Sequence, residues 1–179
     1  KGRPFFLYLG HSDPHVPRLP NKRFVGATTL GPRGDAIVQF DWSVGDILSH
    51  LQRLGLDRNT LIVVTSDNGP VLDDGYQDEA KQKNGDHQPW GSLRGGKYSN
   101  YEAGTRVPFL VHWPERVKPG VSDALVCQID LAASFATLVG SVLKQEDVPD
   151  SVNVLPSLLG ESPTGRDLLI TDAGGLALR

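Results

Sequence analysis

Thr60-Leu61-Ile62-Val63-Val64, running directly into Thr65-Ser66-Asp67-Asn68-Gly69-Pro70, is the stretch on which the fold class turns. Its unbroken β-branched and aliphatic character, with no polar alternation, suits a strand covered on both faces in a parallel sheet. Such a strand delivers Asp67 and Asn68 to its carboxyl end, the edge at which open α/β sheets bind ligands. A carboxylate beside a carboxamide, with Gly69-Pro70 turning the backbone away, offers two hard oxygens to a cation such as calcium or magnesium. Taken alone, the same residues also make an Asx-type turn that does no more than close a strand.

Working outward, Ile37, Val38, Phe40, Val44, Ile47, Leu48, Leu51 and Leu54 recur with helical spacing. They predict a helix that Asp35 caps and Gly55 stops. It lies between the Thr60 strand and an earlier apolar run, Phe5-Phe6-Leu7-Tyr8-Leu9, so the three predict a βαβ unit with a right-handed crossover and parallel pairing. The first strand empties into Gly10-His11-Ser12-Asp13-Pro14-His15-Val16-Pro17. There the prolines are expected to hold two histidines and an aspartate in a stiff, extended loop. Either histidine can equally be a solvated loop residue.

After Pro70, residues 71–89 form a polar insertion carrying Asp73, Asp74, Asp78, Glu79, Lys81, Lys83, Asp86 and His87. Charges of alternating sign without an apolar face predict a mobile loop or lid that tunes which substrate enters. Further along, Gly95-Gly96 lets the backbone approach a ligand and brings Lys97 with it, and Arg94 and Arg106 add possible counter-charges. A strand over Phe109-Leu110-Val111-His112-Trp113 comes next, then a helix capped by Asp130 and ending at Gly140, an irregular stretch over residues 141–165, and a last strand over Asp167 to Asp172.

Composition narrows the function classes. With 179 residues, 39% hydrophobic and 22% charged, the chain can bury one ordinary core. A net charge of −3 gives no field that would gather nucleic acid or an anionic membrane, so neither is expected as a partner. No apolar run reaches the length of a membrane span. The lone cysteine, Cys127, excludes an internal disulfide and a multi-cysteine zinc site, and its apolar neighbours predict a buried small hydrophobe. The opening Lys1-Gly2-Arg3-Pro4 and the closing strand predict a fragment.

Read in order, Phe5-Phe6-Leu7-Tyr8 with His15-Val16-Pro17, Asp57-Arg58-Asn59-Thr60, Thr65-Ser66-Asp67-Asn68-Gly69, Leu93-Arg94-Gly95-Gly96-Lys97 and Tyr101-Glu102-Ala103-Gly104-Thr105-Arg106-Val107-Pro108 resemble the carboxyl-proximal part of the sulfatase catalytic domain. The resemblance covers nearly all of residues 1–179. It implies an α/β, alkaline-phosphatase-like sandwich with a mostly parallel central sheet flanked by helices, incomplete at both ends. It implies hydrolysis of sulfate esters of a small molecule or saccharide with a divalent cation, calcium or else magnesium. Asp67 and Asn68 match metal ligands of the family. His15 and Lys97 match residues that contact the sulfate, either of which could protonate the leaving oxygen. His11 and His87, in loops bordering the site, are candidate substrate contacts. The family's location, periplasmic, secreted or lysosomal, is implied by the resemblance alone.

The sequence also departs from the family pattern. Sulfatases make a formylglycine nucleophile from Cys or Ser in a Cys/Ser-x-Pro/Ala-x-Arg motif, and Cys127 is followed instead by Gln128-Ile129-Asp130-Leu131. Formylglycine is therefore not encoded here. The nucleophile is expected upstream of Lys1, in an amino-terminal part of the same domain, and the chain alone is expected to be inactive. A phosphate or phosphonate ester hydrolase of the same superfamily, and a non-catalytic metal-binding or anion-binding remnant, stand as alternatives.

Overall fold

The computed structural model describes residues 2–179, for residue 145 the backbone alone. The chain divides into two compact units, one built from residues 2–54 and 71–91, the other from 55–70 and 92–179.

The first unit is organised by α1, Gly31–Arg53. Pro32 in its first turn sets the helical φ and needs no donor there. The helix ends where Leu54 donates its N–H to the His50 carbonyl and Gly55 adopts a φ of +66°, the left-handed conformation that terminates helices at little cost to glycine. That stop is the predicted one. The start, at Gly31, lies earlier than predicted, because the Asp35 carboxylate is spent on the preceding turn. It accepts hydrogen bonds from the N–H of Gly26 (2.8 Å) and Thr28 (2.9 Å) and is 3% exposed. Phe24, Ala36 and Leu51 are buried in this unit, together with Ala80 of α2 (Ala80–Lys83), which packs on α1. Phe5 to Leu9, expected as a strand, form none and are between 56% and 82% exposed.

In the second unit β1 (Ile62–Thr65) pairs with β2 (Phe109–His112), Ile62 opposite His112 and Thr65 opposite Phe109. The ladder is antiparallel, and among the described residues it replaces the predicted parallel pairing with the Phe5 segment, which offers no strand. All four β1 residues are half-buried. Between the two strands lies α3 (Glu102–Thr105). Beyond them α4 (Asp130–Leu138) packs on α5 (Leu155–Leu158), burying Ser134, Val154, Leu158 and Leu159. The stretch expected to be irregular therefore holds a helical turn. Asp130, expected as a cap, is the first helical residue and is fully buried; its carboxylate accepts the N–H of Cys127 and of Val152 at 2.9 Å each and pairs with Arg166. Cys127 is half-buried rather than buried. The last predicted strand narrows to β3 (Ile170–Asp172), and the chain then turns back as its antiparallel partner β4 (Leu176–Leu178).

Among the described residues the sheets are these two ladders, so the mostly parallel central sheet is not formed by them. No described helix is long and apolar enough to cross a membrane.

Candidate active site

Backbone-to-backbone packing gathers three of the expected site residues in the second unit. The N–H of Gly69 reaches the carbonyl of Gly104 at 2.9 Å, and the N–H of Lys97 reaches the carbonyl of Pro70 at 3.0 Å. A Cβ on Gly69 would stand 1.6 Å from the Ala103 carbonyl oxygen, and one on Gly104 would stand 2.1 Å from that of Ser99. Only glycine lets the turn after β1 lie against α3 and lets α3 lie against the segment before it. The structure thereby brings Asp67, Asn68 and Lys97 together in one unit.

Local bonds hold the turn itself. Asp67 Oδ1 accepts from the Asn68 N–H at 3.0 Å and from the Ser66 hydroxyl at 3.4 Å, while the Asn68 amide nitrogen donates to the Gly69 carbonyl at 2.9 Å. Asp67 Oδ2 and the Asn68 side-chain oxygen accept no hydrogen bond among the described residues. Both are hard oxygens of the kind calcium and magnesium take, so the pair fits a cation as part of a ligand set. Among the described residues no group of three His, Cys, Asp or Glu side chains gathers that could complete one. The Lys97 ammonium lies 5.1 Å from the ring centroid of Tyr98, whose φ of +73° is unusual for a residue with a side chain. Arg94 stacks on Tyr101 at 3.8 Å.

The first unit holds the histidines. The loop of His11 and His15 turns rather than running extended, because the His15 N–H closes back on the Ser12 carbonyl at 2.9 Å. His15 Nδ1 lies 2.7 Å from the Val16 carbonyl and so carries its hydrogen there. Nε2 is left 3.7 Å from Asp74 Oδ2. His11 is occupied on both nitrogens, 3.3 Å from Ser43 Oγ and 3.2 Å from the Asp13 N–H, with its ring edge-on to Phe40. Ser43, His11 and Asp13 are not a nucleophilic triad, since the Ser43 hydroxyl already donates to the Gln39 carbonyl at 2.9 Å. His87 is exposed, in the turn where Asn84 bonds its carbonyl. Arg18 was not visible as a site residue in the sequence, because a basic residue in a proline-rich loop carries no periodic or motif signal; it is 4% exposed and pairs with Asp78 at 2.7 Å.

A model of the Sulfatase family matches residues 1–141. This chain belongs to the sulfatase family. The sulfatase chain is 52% identical over 170 residues to an N-acetylgalactosamine-6-O-sulfatase of Bacteroides thetaiotaomicron, a match that spans 95% of this chain and 33% of the relative. A solved chain from Bacteroides thetaiotaomicron, reported under the metabolism of multiple glycosaminoglycans, superposes with a TM-score of 0.95 at 49% identity, over 99% of this chain and 38% of its own. A crystal structure in complex with k-i-k-neocarrahexaose superposes with a TM-score of 0.80 at 29% identity, over 100% of this chain and 40% of its own. These neighbours carry the alkaline-phosphatase-like α/β fold, and the sulfatase chain shares it. It spans about a third of the length of the curated relatives it matches.

Proposed function

We propose that this chain is part of a divalent-metal-dependent hydrolase of sulfuric esters, acting on a sulfated saccharide such as a sulfated N-acetylhexosamine. The observation that carries the reading is the contact of Pro70, which ends the turn of Asp67 and Asn68, with Gly96 and Lys97. It sets two cation-seeking oxygens and an ammonium in one unit, the charge pattern a sulfate group calls for. The 52% identity to a named saccharide sulfatase supports the substrate class. In this reading β1 belongs to a mostly parallel sheet flanked by helices in the complete domain, as its unbroken apolar run suggests.

Asp67 and Asn68 would hold the cation, calcium or magnesium, which when bound orients the sulfate and draws charge from its oxygens. Lys97 serves as a point charge on a sulfate oxygen. His15 donates from Nε2 to the leaving oxygen, its ring oriented by the Val16 carbonyl and set 3.7 Å from Asp74. Cys127 is no candidate nucleophile in this scheme, because Gln128-Ile129-Asp130-Leu131 follow it in place of the Pro/Ala-x-Arg of the family motif.

The test is hydrolysis by the full-length protein that carries this chain, with 4-nitrophenyl sulfate and N-acetylgalactosamine 6-sulfate against 4-nitrophenyl phosphate. Sulfate release sensitive to a chelator is expected, and turnover of the phosphate ester alone would overturn the reading. Asp67→Ala is expected to abolish turnover and weaken calcium binding in calorimetry; unchanged calcium affinity would remove Asp67 from the ligand set. Lys97→Ala is expected to leave the melting temperature intact and lower kcat about 100-fold or more.

A further inference from the structure

Arg18 ends the histidine loop, and its guanidinium uses each of its nitrogens on a different neighbour. Nε donates to the Pro14 carbonyl at 3.0 Å, Nη1 to Asp78 Oδ2 at 2.7 Å, and Nη2 to the Val71 carbonyl at 3.3 Å. The side chains of Arg18 and Asp78 are 3% and 5% exposed, so water does not compete for these bonds. Pro14 immediately precedes His15. Val71 and Asp78 bracket Asp74, the carboxylate facing His15 Nε2. One buried side chain thus spans the two segments whose separation sets the His15–Asp74 contact. Such a fork is a geometry a lysine cannot reproduce, because an ammonium at the end of a flexible stem reaches one acceptor group and not three in fixed directions. Asp78 further fixes the chain by accepting the Ala80 N–H at 3.1 Å, which ties the clamp to the start of α2.

We propose that Arg18 is a positioning residue that acts through His15, holding the ring and its Asp74 partner in the arrangement that delivers a proton to the leaving oxygen. This rests on the reading of the chain as part of a sulfuric-ester hydrolase with His15 as donor. An Arg18 that works through a proton donor matters most when the departing oxygen is basic. A sugar alkoxide needs the proton, whereas a nitrophenolate leaves with little help. A residue that merely stabilised the fold would lower both reactions alike.

The experiment compares full-length parental protein with Arg18→Lys, which keeps the charge and can still reach Asp78 but releases the Pro14 and Val71 carbonyls. In Arg18→Lys, kcat/KM for N-acetylgalactosamine 6-sulfate is expected to fall about 100-fold, and that for 4-nitrophenyl sulfate by less than about 3-fold. Arg18→Ala with added guanidinium chloride is the second arm, and partial recovery with the sugar ester is expected there. Asp78→Asn, which retains an oxygen to accept from Arg18, is expected to lose less than Arg18→Lys with the sugar ester. Equal losses for the two esters, or none, overturn the proposal while leaving the hydrolase reading in place. Absence of sulfate-ester hydrolysis in the parental protein overturns the hydrolase reading and the proposal with it.

Discussion

At the scale of single residues, glycines and buried charges separate cleanly by what surrounds them. Gly69→Ala drives a methyl group into the Ala103 carbonyl, and backbone on both sides cannot yield. The substitution is expected to lower the unfolding free energy by about 3 kcal/mol in denaturant titration. Gly45 sits exposed in the middle of α1, and a methyl group there would meet nothing within 4 Å, so Gly45→Ala is expected to raise stability by about 0.5–1 kcal/mol. Arg33 is 6% exposed and its Nη1 is buried without a hydrogen-bond partner among the described residues. Burial first, then repulsion from Arg18, push its guanidinium below its ordinary range, with Asp78 opposing. A base whose pKa is lowered on folding costs stability wherever it stays charged. Arg33→Met is therefore expected to leave the melting temperature unchanged or to raise it, and a marked fall would mean that Arg33 has a partner worth keeping.

The segment over residues 71–91 shows the same logic at the scale of an element. Four residues of α2 make too short a helix to persist by itself, and its own sequence has no apolar face. It is held by Ala80 and Asn84, which are buried, by the Arg18–Asp78 pair, and by two surface ion pairs, Lys81–Asp73 and Lys83–Glu79, each 2.8 Å. The hydrogen bond from Lys81, then that from the Gly75 N–H, hold the Asp73 carboxyl below its ordinary range. A depressed carboxyl contributes stability that is complete above the ordinary carboxylate range and is lost as pH falls through its lowered value. The bond to Glu79 raises Lys83, so that contribution is present below the ordinary lysine range and is lost only as pH rises beyond it. Amide protection factors across Ala80–Lys83 are expected to hold near neutrality, to decline on acidification below about pH 4, and to fall modestly with added salt. Protection indifferent to both would mean that the buried Arg18–Asp78 pair alone anchors the segment. None of this could be read from alternating charges, which look alike whether they are paired or solvated.

For the molecule as a whole, the exposed apolar surface that each of the two units carries is the dominant fact. Phe5, Phe6, Leu7, Tyr8 and Leu9 are all more than half exposed, as are Leu168, Ile170, Leu176 and Leu178. Exposed apolar side chains in this number favour association. The 179-residue chain expressed by itself is expected to bind a hydrophobic dye and to self-associate in sedimentation; a monomer that binds no dye would contradict the exposure of these segments. Local sequence determined much here. β1 and β2, the stop of α1 at Gly55, the helix beginning around Asp130, and the motifs that mark a sulfatase follow from branching, glycine placement and spacing within a few residues. Tertiary structure alone decided that β1 pairs antiparallel with β2, that Asp35 and Asp130 serve neighbouring turns rather than cap their helices, and that Arg18 joins the His15 loop to the segment around Asp74. Each of these depends on which distant groups a buried charge or an unpaired backbone edge can reach, and that reach is a property of the folded chain.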